Sequence, residues 1–299
     1  MIVGTGNVGS SIAYALLNQR TPVKEIILTD LDHEDAIGET MDLSDALAVA
    51  PSYLRIRAGN YADAADCDIC IITAGANQKP DETRTDLVQK NAAILQSIVN
   101  PIMDSGFDGI FLVVSNPVDT LSFLTWSYSH LPAERVIGSG NVLDSARLRF
   151  RLAEKLGVHP KSIHAYQVGE HGDTEFTLWS TATVGGEKIE NLLPKTEREA
   201  IEESVRGKAY EIIKKKGATH YGIGSCAVQI VNSILNDERR VLPVSTFDDN
   251  TGTYNSFPAV IGKDGVVRRL ELKLTEAEGI EFQKSVNAIK STIKEIVDE

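Results

Sequence analysis

The chain is 299 residues long, 42% hydrophobic, and carries a formal net charge of −12. That length and apolar content suffice for a large core and two domains, while the negative field excludes general affinity for nucleic acid or anionic membrane. No apolar run reaches the length of a membrane span, and the start, Met1-Ile2-Val3-Gly4, has neither a basic flank nor an export cleavage site, so a cytoplasmic protein is expected. Any anionic substrate must then be drawn in by a local cluster of arginines.

The opening β-branched run leads into Gly4-Thr5-Gly6-Asn7-Val8-Gly9, followed by helical composition over 10–19. Glycines at this spacing let the backbone turn tightly and approach a pyrophosphate, and the next helix aims its partly positive N-terminus at it. The second strand, 25–29, ends in Asp30, 24 residues after Gly6. A carboxylate there accepts hydrogen bonds from the adenosine ribose and repels a 2′-phosphate, which predicts NAD over NADP. Only Met1 to Val3 remain for a strand that normally runs about five residues, so a weakened first strand or a longer true start is expected.

Buried strands are predicted at 54–58, 69–74, 110–114 and 136–137, alternating with helices, which means a parallel, doubly wound α/β sheet. Cys67-Asp68-Ile69-Cys70 has metal-like spacing, but a zinc site wants a second pair and only Cys226 remains; all three read as core or near-core thiols, with no metal. After about Ser139 the pattern changes. It predicts a helix over 144–156, strands near 176–184, helices within 197–236, a hairpin turning at Lys263-Asp264-Gly265, and a terminal helix. The expected division is a nucleotide-binding domain over 1–138 and an α+β substrate domain over 139–299. No flexible linker separates them, so the default ligand site lies between them.

Four polar stretches stand out. Gly75-Ala76-Asn77-Gln78-Lys79-Pro80-Asp81-Glu82-Thr83-Arg84 leaves a strand as a loop able to fold over a ligand. Ser115-Asn116-Pro117 leaves Asn116 near the carboxyl edge of the sheet, where open α/β sheets bind ligands. Asp144 and Arg147 are three apart and share a helix face, a spacing that also suits an ordinary ion pair. Val168-Gly169-Glu170-His171-Gly172-Asp173 sets a lone imidazole, the side chain suited to proton exchange near neutral pH, beside two carboxylates.

Taken together these stretches resemble the L-lactate and L-malate dehydrogenases, and within them the bacterial L-lactate dehydrogenases, from the first glycine motif to the last helix. The resemblance implies a Rossmann sheet followed by an α+β catalytic domain, and hydride transfer between nicotinamide and a 2-keto acid. It implies His171 as proton donor to the carbonyl oxygen, Asp144 as its orienter holding the ring near neutrality, Arg147 as the two-donor fork for the substrate carboxylate, and Arg84 as the loop residue polarising the carbonyl. Asn116 and Thr219 complete the substrate pocket, with Tyr221 and Ile223 against nicotinamide. Gly4, Gly6, Val8, Gly9, Asp30, Tyr61, Gly75, Ala76, Ser97, Val114, Ser115, Asn116 and Ser139 are the implied NAD contacts.

A neutral Gln78, where the dicarboxylate-specific members carry Arg, favours pyruvate and L-lactate over oxaloacetate and L-malate. Bulkier 2-keto acids are the nearest alternative, and an NAD-dependent, metal-using glycoside hydrolase the alternative of another class. Arg149 and His164 match the bacterial enzymes activated by fructose 1,6-bisphosphate, which implies an allosteric homotetramer. Asp81 stands where glycine is usual in the family, which bears on loop closure.

Overall fold

The computed structural model describes residues 1–76 and 84–297, with the side chains of residues 84, 85 and 297 outside the description. Gln78 and Asp81 therefore lie outside the described residues, as does the Arg84 side chain.

Six parallel strands form the first part of the sheet: β1 (Ile2–Val3), β2 (Glu25–Thr29), β3 (Arg55–Ala58), β4 (Ile69–Ile72), β5 (Ile110–Val113) and β6 (Val136–Gly138). Their spatial order is β3-β2-β1-β4-β5-β6. The chain thus runs outward from β1 to one edge and returns to build the other side from β4. The two-residue β1 is short, as expected, yet central: Ile2 and Val3 pair with Leu28 and Thr29 on one side and with Ile71 and Ile72 on the other.

Alternation along these strands feeds two cores. Ile2, Ile26, Leu28, Ile71 and Leu112 face one side, against α1 (Asn7–Asn18). Val3, Ile27, Ile72, Phe111 and Val113 face the other, against α3 (Arg84–Asp104) and α4 (Val118–Ser129); α2 (His33–Ala46) intervenes between β2 and β3. Cys70 and Cys226 are buried and Cys67 is half-buried, with no disulfide among them.

The second half opens with α5 (Val142–Leu156), which Gly157 ends in the left-handed region at φ +67°. Short strands follow: β7 (Ile163–His164), β8 (Gln167–Val168), β9 (Phe176–Thr177), β10 (Thr183–Val184) and β11 (Glu187–Lys188). The helical stretch is then cut into α6 (Ile189–Leu192), α7 (Lys195–Arg206), α8 (Lys208–Lys216) and α9 (Tyr221–Leu235), with Gly207 and Gly217 at two of the breaks. Helix α9 packs along α1, so close that a methyl group on Gly224 would lie 3.1 Å from the Ser11 backbone.

The largest departure from the sequence reading is the sheet's far side. Strand β12 (Arg240–Asp248) pairs along its whole length with β13 (Thr253–Gly262), which turns at Lys263-Asp264 into β14 (Gly265–Arg269). These three antiparallel strands continue the first sheet beyond β6 through Ser245 and Gly138, giving nine strands in one surface. The turn was legible; the length of the strands was not, because the polar Ser245, Thr246, Asp248, Asn255 and Ser256 interrupt the apolar pattern although all are buried. Helix α10 (Glu276–Val297) closes the chain against α3 and α4. No helix among the described residues is long and apolar enough to cross a membrane.

Candidate active site

The carboxyl ends of β1 and β4 mark the point where the strand order reverses, and the cofactor stretch lies there. Gly4 is in the left-handed region at φ +98°, and a methyl group on it would come within 2.7 Å of the Ala74 nitrogen. On Gly9 a methyl group would sit 1.9 Å from the Gly4 carbonyl oxygen, so the absence of a side chain is what lets α1 approach the strand end. At Gly6, which precedes α1, the space is open for 4 Å, and no side chain caps the helix. Uncapped N–H groups facing open space suit a pyrophosphate. Asp30 accepts from the Thr5 backbone at 2.7 Å and from the Thr5 hydroxyl at 3.1 Å, which fixes the acid at the loop's edge. These residues fit a dinucleotide.

The neighbouring loops are tied together. The Ala76 nitrogen donates to Asn91 Oδ1 at 2.7 Å, Asn91 donates to the Asn116 carbonyl at 3.1 Å, and the Ser115 hydroxyl donates to the Ala74 carbonyl at 2.6 Å. Gly75 packs beside Asn91, Val114 and Ser139 are buried at the sheet's edge, and Val8 is half-buried on α1. Tyr61 lies near Asp30, its phenol raised first by burial and then by that carboxylate. Ser97 is set apart: it is exposed on α3 and donates to the Ile94 carbonyl of its own helix.

In the second cluster Asp144, in the first turn of α5 and 3% exposed, bonds both the ring and the guanidinium. The Asp144 carboxylate meets His171 Nδ1 at 2.7 Å through one oxygen and accepts from Arg147 Nη1 at 2.9 Å through the other. The His171 loop is pinned from behind. Its backbone nitrogen donates to Asp119 Oδ2 at 2.7 Å, while Asp119 Oδ1 accepts from the Ser245 and Ser256 hydroxyls at 2.6 and 3.3 Å. Gly169, at φ +92°, exchanges backbone hydrogen bonds with Ser256.

Burial alone would strip the proton from His171, but the Asp144 charge and hydrogen bond reverse this and push the ring up to about 9. That corrects the expectation of a ring near neutrality: the carboxylate is nearly dry and at hydrogen-bonding distance, so it stabilises the imidazolium strongly. Asp144 itself is held below the ordinary range, burial being outweighed by His171 and Arg147. Burial raises Asp119 to about 6 despite its hydrogen bonds.

A cavity of about 530 Å³ opens over this cluster, with Asn116, Asp144, Arg147, His171, Glu175 and Arg206 in its wall. Four residues marked from sequence thus converge from the β5 loop, α5 and the His171 loop. Thr219 does not line this cavity; it is half-buried in the link between α8 and α9. Tyr221 is 72% exposed beneath the Lys216 ammonium, in the wall of a second cavity shared with Thr5, Gly6 and Asn7. Ile223 packs against the core. Arg149 leaves α5 elsewhere, its Nε donating to the Ser145 carbonyl at 3.2 Å, and His164 is exposed on β7. Sequence reasoning missed Asp119, Glu175 and Arg206. Asp119 sits two residues past Asn116-Pro117 and Glu175 four past His171, so proximity to the marked motifs was the available signal.

Residues 1–138 match the family model described as lactate/malate dehydrogenase, NAD binding domain, and residues 141–299 match the lactate/malate dehydrogenase alpha/beta C-terminal domain. The chain belongs to the lactate/malate dehydrogenase family. Among curated relatives, L-lactate dehydrogenase 2 of Bacillus anthracis is 48% identical over 307 residues, covering 99% of this chain and 98% of the relative. A lactate dehydrogenase from a Medee basin deep-sea metagenome library superposes with a TM-score of 0.97 at 44% identity, covering 99% of this chain and 97% of that one. The minor L-lactate dehydrogenase of Enterococcus mundtii, in its ligand-bound form, gives a TM-score of 0.96 at 44% identity over 100% and 98%. As a lactate/malate dehydrogenase family member the chain is an NAD-dependent oxidoreductase. The arrangement brings an imidazole, its carboxylate partner and a guanidinium together in the wall of one cavity.

Proposed function

We propose that this chain is an L-lactate dehydrogenase that interconverts pyruvate and L-lactate, with His171 as the proton donor. The observation that carries the reading is the shared carboxylate of Asp144, which couples the His171 ring to Arg147 within one cavity. NAD, when bound, supplies or receives the hydride. Thr5, Gly6 and Asp30 would hold it, with Ala76, Ser115 and Ser139 nearer the reacting end. Arg147 pairs with the substrate carboxylate, orienting the carbonyl toward His171. The imidazolium donates its proton as charge builds on the carbonyl oxygen and takes it back in the reverse direction. Asp144 keeps the ring in the tautomer and orientation that serve both directions.

The preference for pyruvate rests on Gln78, whose neutral amide leaves a second substrate carboxylate unpaired. Following the loss of NADH absorbance with pyruvate, 2-ketoisocaproate and oxaloacetate tests it. Pyruvate is expected to give the highest kcat/KM; a higher value for either of the others refutes the assignment.

The division into domains at 138/139 and a homotetrameric assembly belong to the same reading. So does activation by fructose 1,6-bisphosphate through Arg149 and His164 of paired subunits, which requires the effector to bind the active state more tightly. A pyruvate saturation curve unmoved by the bisphosphate at every pH tried removes the activation.

A further inference from the structure

Among the described residues, Glu175 is the one buried acid in the cavity wall that the reaction as described leaves idle. It lies four residues beyond His171, on the run into β9, and is 4% exposed. Its carboxylate, that of Asp144 and the His171 ring each place an atom within 4.8 Å of the other two. One of its oxygens, Oε1, has no hydrogen-bond partner among the described residues. The nearby Arg206 donates to the Glu175 backbone carbonyl at 3.1 Å and to Glu202, and not to Oε1. An acid kept dry without a hydrogen bond on that oxygen is costly, and its proton equilibrium is tied to the charges around it.

We propose that Glu175 is a positioning residue for the reaction: a second carboxylate whose negative charge, once formed, holds the proton on the His171 ring. Other titratable and charged groups surround the pair. Asp144 and Arg147 face it from α5, Asp119 from α4, Arg206 from the end of α7 and Tyr210 from α8, with Glu170 and Asp173 on the loop itself. From α3 the described neighbours are Leu87 and Val88, which do not titrate. With Glu175 ionised, the two carboxylates of Asp144 and Glu175 both flank the His171 imidazolium. With Glu175 neutral, the cavity is more positive and draws an anion more strongly.

Burial first, and then the Asp144 charge, push the Glu175 carboxyl well above the ordinary carboxylate range. The titration of Glu175 is therefore coupled to the charges of the groups beside it, the ring among them. An opposite charge at this separation moves a ring by roughly one pH unit or more.

The inference rests on His171 as the proton donor, and the experiment separates the two. In the full-length enzyme with NADH, the His171 ring is followed by NMR on histidine-labelled protein, assigned with His171→Gln, alongside the pH profile of kcat/KM for pyruvate. Glu175→Gln is expected to lower the ring's titration by about one pH unit or more, and Glu175→Asp to restore most of it. The alkaline limb of the profile should move with the ring. In wild type, a carboxyl-labelled Glu175 should titrate at or below the ring's own midpoint, a measurement that needs no variant. A ring titration unchanged in Glu175→Gln, or a Glu175 carboxyl that keeps its proton until above the ring's midpoint, overturns the proposal. So does a fall in kcat and melting temperature with no movement of the ring, which is what a merely structural role gives. A ring that moves without the kinetic limb upholds Glu175's hold on the proton and refutes His171 as donor.

Discussion

Replacing Asp144 by Asn is the sharpest test of the acid-base cluster. The substitution keeps the shape while removing the charge that lies 2.7 Å from the ring and 2.9 Å from Arg147. In the folded protein the ring is pushed from 6.5 to about 9, against the opposing effect of burial. At about 1.4 kcal/mol per pH unit, that difference amounts to roughly 3 kcal/mol in favour of the imidazolium. Without the carboxylate, burial acts unopposed by its largest counterweight, and the ring should titrate at or below 6.5. At pH 8 the proton-carrying fraction then falls from about nine-tenths to about 3%, some thirtyfold, and lost orientation brings the fall in kcat/KM for pyruvate to about a hundredfold or more. The assay is the pH profile of pyruvate reduction from NADH absorbance. The alkaline limb should move from near 9 to below neutrality. Stability carries the same signature: a raised ring contributes stability fully present below about 6.5 and lost as pH rises through about 9. The difference in urea midpoint between wild type and variant should therefore shrink across that window. An alkaline limb that stays near 9, with activity within about threefold of wild type, refutes the argument that Asp144 keeps the ring charged.

Arg147→Lys retains a cation but not the planar fork that can serve Asp144 and a substrate carboxylate together. The pyruvate KM should rise about a hundredfold, with kcat falling less, matching the loss of one charge-assisted hydrogen bond; an unchanged KM removes Arg147 from substrate binding. Gly9→Ala places a methyl group 1.9 Å from the Gly4 carbonyl and forces α1 off the strand end. It should weaken NADH binding, read by the coenzyme's fluorescence, by at least about tenfold and lower the melting temperature, on the order of an overpacked core substitution. Wild-type affinity would mean that α1 can shift without disturbing the loop.

Local patterns carried the first half well. The glycine spacing, Asp30 and the alternation of β-branched runs with helices are signals that neighbouring residues generate by themselves, and β1 to β6 appear where those signals lie. The site residues Asp144, Arg147 and His171 were marked by their chemistry, although nothing in their spacing brings α5 to the His171 loop. Ser145 of α5 accepts from the Gln167 backbone just before the loop, and Asp119 ties the loop backbone to β12 and β13, more than a hundred residues away in the chain. The same long-range satisfaction hid β12 and most of β13. Their Ser, Thr, Asp and Asn residues read as solvent-facing until partners such as Asp119 and Arg269 are known: Arg269 donates to the Thr246 hydroxyl at 2.9 Å and to the Asn255 carbonyl at 3.2 Å. Polar side chains inside a sheet are invisible to hydropathy, because the groups that satisfy them are remote in sequence.

A consequence follows from the unbroken run of strands from β3 to β14. Two domains that merely touch can rock about a linker, and each turnover must then bring their halves of a site into alignment. Here the strand that precedes Asp30 and the strands that brace the histidine loop are rungs of one ladder, with α9 lying along α1 as a crosspiece. The glycine loop after β1 and the loop that carries His171 are thus joined through one continuous sheet. A cut through that sheet at the Ser245–Gly138 pairing would separate the two halves of the cavity's support.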